Sequence, residues 1–474
     1  MKTVCLIFAV SIPLIATAYS PGGVSADERP NIILMMADDL GWGDPSYNQG
    51  WIKTPALDAM ASAGLRFNRF YSASPVCSPT RASCLTGRHP YRLGIRNANQ
   101  GRLESRETAI SEVLQTAGYA TGHFGKWHLG TLTTLRKDSN RGQAGITKFY
   151  SPPWQHGFEA CFSTEAKVPT FNPMRLTHNK SAEPVNFSDP NFYGTHYWYP
   201  PGNREQWDTA AEGTVVELND NLSGDDSTII MDRVLPFIET SVEKQQPFFA
   251  VIWFHTPHKP VVDPGENTPV DSAQAYSSAI QAMDGQIHRL RSQLKKLNVS
   301  DQTMIWFCSD NGPEKGVGKA GPLRARKRSL YEGGIRVPGL LVWPAQIPTG
   351  RETDFAACTS DYYPTILDYL NLTPVNQKPL DGVSLRSVIE EKSTERAEPI
   401  GFQSGKQQAW MSQRYKIISQ NAGKDYQLFD LQNDPAESHD LSQNEQVLKA
   451  KLQAELATWL KSVKADRDAG KPSQ

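Results

Sequence analysis

The chain has 474 residues, with 49 Lys and Arg against 50 Asp and Glu and a formal net charge of −1 at pH 7. That length buries a large core and leaves room for more than one domain. The charge balance excludes a nucleic-acid footprint and a polybasic membrane patch, so any anion site has to be built locally.

Residues 1–26 read as a secretory signal: Lys2 gives the positive start, and Val4 to Ala18 is an apolar run too short to span a bilayer. Val24-Ser25-Ala26 and Ala16-Thr17-Ala18 both offer small-residue cleavage sites, and no later stretch is long and apolar enough for a membrane helix. Cys5 leaves with the signal and five cysteines remain, enough for at most one disulfide if Cys77 is reactive and Cys308 lies in a strand. Asn31 to Ala37 is a continuous apolar run, as expected of a strand buried on both faces, and it ends in Asp38-Asp39. Adjacent carboxylates at such a strand end cap a turn or hold a ligand. Thr54-Pro55 opens a helix that Gly64 closes, with Leu57, Met60 and Ala61 inward. A strand over Leu65 to Tyr71 then delivers Cys77.

Ser78 reads as an N-cap and Pro79 as the first helical residue, which sets Cys77 at a helix mouth with Arg81 one turn in. A thiol there is expected to be acidic and reactive, although a lone cysteine is as readily a buried hydrophobe or a disulfide partner of Cys84 or Cys161. Cys77-Ser78-Pro79-Thr80-Arg81, followed by Ala82 and Leu85-Thr86-Gly87-Arg88, resembles the signature of the type I, formylglycine-dependent sulfatases of the alkaline phosphatase superfamily. In that family the cysteine is oxidised to an aldehyde, and Cys77 and Arg81 match the motif's cysteine and arginine.

Further along, a helix over Ala109 to Ala117 capped by Thr108 precedes a strand over Tyr119 to Phe124. The strand runs into Gly125-Lys126-Trp127-His128-Leu129-Gly130, similar to the second sulfatase signature, which marks Lys126 and His128. Residues 150–226 lack clear periodicity and are rich in aromatics (Phe171, Tyr193, Tyr197, Trp198, Tyr199, Trp207), open to sugar stacking or to a local core. Ile229 to Ile238 suggests a helix despite Pro236, and Phe248 to Phe254 a buried strand. In sulfatases the strand after such an opening delivers an active-site histidine; His258 matches that position better than His255. Tyr276, Ile280, Met283, Ile287, Leu290, Leu294 and Leu297 form the core stripe of an amphipathic helix.

Thr303 to Cys308 is another buried strand, ending in Ser309-Asp310-Asn311-Gly312, which resembles the family's metal motif. Asp38, Asp39, Asp310 and Asn311 are then four hard oxygen ligands, joined by residue 77, for Ca²⁺ or Mg²⁺ and not for zinc. Lys327 matches the lysine of a Lys-x-x-x-Tyr-Glu-Gly-Gly element; Arg326 and Arg328 are neighbours with a substrate role or merely surface. Thr359 to Leu370 resembles the family's last main-domain helix. Tyr415 to Ile418 and Tyr426 to Leu431 read as antiparallel strands, and Leu448 to Val463 as a final helix.

The resemblance implies an α/β fold with a large, mostly parallel central sheet flanked by helices. A smaller C-terminal α+β subdomain would be built on a short antiparallel sheet. The divisions expected are 1–26 signal, 27–380 catalytic domain and 381–474 C-terminal subdomain. It also implies hydrolysis of a sulfate monoester, from a sulfated carbohydrate or other ester. Hydrated formylglycine at 77 attacks sulfur, His258 with Lys327 protonates the departing alcohol, and His128 takes the proton that lets sulfate leave. A formylglycine-generating maturation enzyme is an implied partner, and the location is periplasmic, secreted or lysosomal. The sequons at Asn186 and Asn371 matter only in a eukaryotic secretory route. The alternatives are a phosphatase or phosphonate hydrolase of the same superfamily, and a sulfated-glycan binder without catalysis.

Overall fold

The computed structural model describes residues 29–174, 195–216, 220–264, 272–374 and 377–469; the signal reading, the Asn186 sequon and Tyr193 lie outside them. The main sheet has ten strands in the order Arg351–Thr353, Leu65–Phe67, Gly339–Val342, Thr303–Ser309, Asn31–Ala37, Phe248–Trp253, Ala120–Lys126, Ala160–Thr164, Tyr197–Tyr199 and Thr214–Val215. The five middle strands, from Thr303–Ser309 to Ala160–Thr164, are parallel. Toward the margins the pairing turns antiparallel, save for an outermost parallel pair, so the sheet is mixed and its parallel part is its centre.

Burial on both faces explains the unbroken apolar runs of the central strands. In Asn31–Ala37, Ile32, Leu34 and Met36 join one core, and Ile33, Met35 and Ala37 the other. The first core takes Ala82 and Leu85, Leu114, and Tyr362 and Ile366 from the helices Cys77–Thr86, Ile110–Thr116 and Tyr362–Leu370. The second takes Leu57 and Met60, Ile230 and Val234, and Ile280, Met283 and Ile287 from Pro55–Ala63, Asp226–Glu243 and Ala273–Lys296. Pro236 is carried inside its helix. Residues 400–430 form a four-stranded antiparallel sheet, on which the helix Gln446–Ala469 packs through Leu452 and Leu456.

Three local expectations change. The strand expected over 65–71 breaks: Leu65–Phe67 stays in the main sheet, while Phe70–Tyr71 pairs with Arg336–Val337 and Ala357–Cys358 in a small separate sheet. At the break, Asn68 turns outward to the Asp354 carboxylate at 2.9 Å. Ser78 caps nothing: the helix starts at Cys77, Val76 is its cap residue, and the Ser78 hydroxyl donates to the carbonyls of Ala98 and His128. Thr108 is likewise not the cap; the Ala109 N–H donates to the Glu112 carboxylate at 2.7 Å. Of the aromatics in 150–226, Tyr197 and Trp198 are fully buried; Trp198 joins the first core, and Tyr197 joins the second, stacked on Phe162 at 4.5 Å. Among the described residues no helix is long and apolar enough to cross a membrane.

Candidate active site

Four parallel strands end side by side, and each hands a polar segment to the same sheet edge, the position where open α/β sheets place ligands. Asn31–Ala37 gives Asp38 and Asp39, and Thr303–Ser309 gives Asp310 and Asn311. Ala120–Lys126 gives Lys126 and His128, and Phe248–Trp253 gives His258. Gly125, at φ +99°, permits the close pairing before Lys126, since a Cβ there would lie 2.0 Å from the Trp253 carbonyl oxygen.

The mouth of the Cys77–Thr86 helix faces this edge. Cys77 Sγ lies 3.6 Å from Asp38 Oδ1, and Lys126 Nζ donates to Asp38 Oδ2 at 2.6 Å. Lys327 Nζ donates to Asp39 Oδ2 at 2.7 Å, and His258 Nε2 stands 3.5 Å from the same oxygen. The Asp39 N–H donates to Asp310 Oδ1 at 3.1 Å, and Asn311 Nδ2 to Asp39 Oδ1 at 2.6 Å. Ligand atoms of Asp38, Asp39, Cys77 and His258 all lie within 4.8 Å of one another. The site residues expected from sequence thus gather at one place, with one difference of position. Arg81 is wholly buried behind the cleft, donating to Asp310 Oδ2 at 2.8 Å and to the Lys126 carbonyl at 3.1 Å, with Trp253 stacked beneath it.

Burial and charge fix the protonation states. Burial raises the Asp39 carboxyl, but His258, Lys327 and Lys126 lower it by more, so it stays ionised. Burial and the Asp38 charge push Asp310 up to about 6 against the pull of Arg81. Burial would lower Lys327, yet Cys77, Asp39 and Asp38 raise it. His258 and His128 are driven well below the usual imidazole range, His258 by burial against Asp39 and His128 by burial together with Lys126 and Arg141. The expectation of an acidic thiol fails: burial pushes Cys77 up to about 12, which outweighs Lys126 and Lys327. Cys77, Cys84, Cys161, Cys308 and Cys358 are all free and buried.

The donor set suits a hard cation. Asn311 Oδ1 is buried without a hydrogen-bond partner, beside the carboxylates of Asp38, Asp39 and Asp310. A buried acceptor among oxygen ligands is satisfied by Ca²⁺ or Mg²⁺. Above it opens a cleft of about 500 Å³, lined by Cys77, Lys126, His128, His258 and Lys327. Asn99, Asn140, Lys167, Glu314 and Lys315 line it too. These carry no local signature, and tertiary folding alone brings them in. His255, the other histidine of its loop, is buried between Asp226 at 2.8 Å and Thr164 at 2.7 Å.

A mixed α/β sheet with an acid-and-cation cluster at the ends of its parallel strands defines an enzyme of the alkaline phosphatase-like class. A phosphonate monoester hydrolase of Agrobacterium radiobacter shares the fold (TM-score 0.62, 20% identity, 93% of this chain and 96% of that one). The Sulfatase family model matches residues 30–372, and the model for the C-terminal part of N-sulphoglucosamine sulphohydrolase matches residues 325–466. N-acetylgalactosamine-6-sulfatase of Canis lupus familiaris is 31% identical over 393 residues, 78% of this chain and 68% of that protein. Arylsulfatase G of Rattus norvegicus is 32% identical over 405 residues, 79% and 71% of the two. The crystal structure of Ps i-CgsB in complex with k-i-k-neocarrahexaose superposes with a TM-score of 0.73 at 27% identity, covering 91% and 92%. The chain belongs to the sulfatase family, and it is a sulfuric ester hydrolase.

Proposed function

We propose that this sulfatase removes sulfate from a sulfated sugar or polysaccharide, and that formylglycine at position 77 and a divalent cation complete its site. The carrying observation is that Cys77 and Lys126 meet one carboxylate, Asp38, at 3.6 and 2.6 Å on the floor of the cleft. The carbohydrate preference is supported by the names of relatives and by the oligosaccharide bound to Ps i-CgsB.

Asp38, Asp39, Asp310, Asn311 and residue 77 hold the cation, which supplies Lewis-acid charge when bound. The hydrated aldehyde at 77 offers one hydroxyl to attack sulfur and a second whose proton loss releases sulfate. Lys126 and Lys327 are ammonium groups for the sulfate oxygens, and Arg81 positions Asp310 from behind. Hydrogen bonding sets the tautomers of both histidines. His128 Nε2 donates to Asn99 Oδ1 at 3.1 Å, which leaves a buried, unpartnered Nδ1 to take the proton from residue 77. His258 Nδ1 donates to the Lys259 carbonyl at 2.6 Å, which leaves Nε2 bare. Burial holds that ring neutral, so the proton for the departing alcohol comes from the Lys327 ammonium, which shares Asp39 Oδ2 with His258.

Export through the 1–26 leader and maturation by a formylglycine-generating enzyme belong to the same reading, as do a catalytic domain over 27–380 and a C-terminal subdomain over 381–474. The test is kcat/KM on sulfate and phosphate esters of one alcohol, with Ca²⁺ or Mg²⁺ supplied. Preference for the sulfate supports the proposal, and preference for the phosphate moves it to the phosphatase alternative.

A further inference from the structure

The cleft carries more positive charge than one sulfate ester uses. Lys126 and Lys327 are committed to Asp38 and Asp39. Lys167, Lys315 and Arg328 line the same cleft with Lys259, and among the described lining residues Glu314 is the one rim carboxylate. They arrive separately: Lys167 follows the Ala160–Thr164 strand, Lys259 follows Phe248–Trp253, and Lys315 and Arg328 follow Thr303–Ser309.

Arg328 is held with some care. Its backbone is left-handed, at φ +73°, a conformation that costs a non-glycine residue energy. Its N–H donates to the Pro75 carbonyl at 2.9 Å, and its own carbonyl accepts from Gln407 Nε2 at 2.7 Å. Its guanidinium takes Glu314 at 2.8 Å, so the one rim carboxylate is already spent and leaves Lys167 and Lys315 uncompensated by it. Lys259 Nζ lies 3.8 Å from where a side chain at Gly316 would begin, which brings it close to the Lys315 segment. Like charges gathered around one cleft repel, and an anion placed among them relieves that cost.

We propose that these cleft cations form a second anion subsite, and that the natural substrate carries a further acidic group, a carboxylate or another sulfate ester, on the sugar next to the one desulfated. The inference rests on the sulfatase reading and specifies its substrate. Lys315 and Lys167 are the specificity-determining residues.

The test uses three disaccharides that share one sulfated sugar and differ in the neighbour: neutral, uronic acid, or sulfated. The wild-type enzyme is expected to favour an acidic neighbour in kcat/KM by about tenfold. Which acidic neighbour wins assigns the source of the charge. In Lys315→Ala and Lys167→Ala the acidic-to-neutral ratio falls toward one through a higher KM. A wild-type ratio near one, or equal losses on all three substrates in both variants, overturns the subsite while leaving the sulfatase reading intact. Failure to hydrolyse any of them, or an aryl sulfate, overturns that reading and the subsite with it.

Discussion

Asp39 is a heavily shared group of the site: Lys327, His258 and Asn311 all reach its carboxylate, at 2.7, 3.5 and 2.6 Å. Asn311 then has one oxygen left, buried and without a donor. Replacing it with Ala removes a cation ligand and no core volume of note. Asn311→Ala is expected to weaken Ca²⁺ or Mg²⁺ binding at least about tenfold. Thermal unfolding of chelated protein during metal titration reads this without reference to turnover, because a bound ion raises Tm. At residue 77, Cys77→Ala and Cys77→Ser are expected to fold as the wild type does and to lose multiple turnover by about 10³-fold or more. Single-turnover and steady-state assays on one ester separate the two: a trapped serine ester gives a burst and no second cycle. Cys77, Arg81, Lys126, His128, Asp310 and Asn311 could be singled out from sequence because each sits in a contiguous string that matches a family signature at a strand end or helix start. Asn99, Glu314 and Lys315 were not, since each stands alone in sequence and enters the cleft only through tertiary folding.

At the scale of elements, the segment carrying Lys327 is tied to the C-terminal sheet by hydrogen bonds to Gln407 and by a buried lysine. Lys416 is fully buried, with Nζ 3.0 Å from Glu332 and 2.9 Å from Glu437, and Tyr71 donates to the other Glu332 oxygen at 2.9 Å. Removing the lysine leaves two carboxylates facing each other in the core. Lys416→Met is expected to cost about 3–5 kcal/mol in urea unfolding. Glu332→Gln combined with Glu437→Gln in the same background should restore part of that loss, since the repulsion between the two carboxylates goes, although Glu332 keeps Arg336 at 3.7 Å. Element boundaries show where local reading reaches its limit. The central strands and the Ala273–Lys296 helix follow their apolar patterns, because burial on a face is written in the sequence. The caps do not, because the Ser78 hydroxyl serves the carbonyls of Ala98 and His128, which arrive from distant segments. Marginal strands of two or three residues, such as Thr214–Val215, are too short to show a period.

For the molecule as a whole, the segment after the Cys77–Thr86 helix meets the C-terminal helix around a buried histidine. His89 packs edge-on against Trp459, its backbone N–H donates to Asp381 at 2.7 Å, and Arg92 and Trp459 bind the same carboxylate. Burial pulls the His89 imidazole down to about 3, against the influence of Asp381. Burial does the same to His156. In the unfolded chain both titrate near the ordinary value of about 6.5. At these two sites the unfolded state therefore binds more protons between those limits, and their contribution to stability is complete above about pH 6.5 and falls as pH drops toward 3. Tm measured from pH 7 to 4 should decline, and the decline should be shallower in His89→Gln if the variant folds, with His156→Gln as a second gauge of the same slope.

The central claim is that residue 77 works as an aldehyde set among Asp38, Lys126 and the cation ligands, and the most direct measurement is peptide mass spectrometry across Pro75 to Arg81 on natively matured, active protein. The account predicts formylglycine at position 77 in proportion to specific activity. Full activity in protein that carries only the unmodified thiol would contradict it.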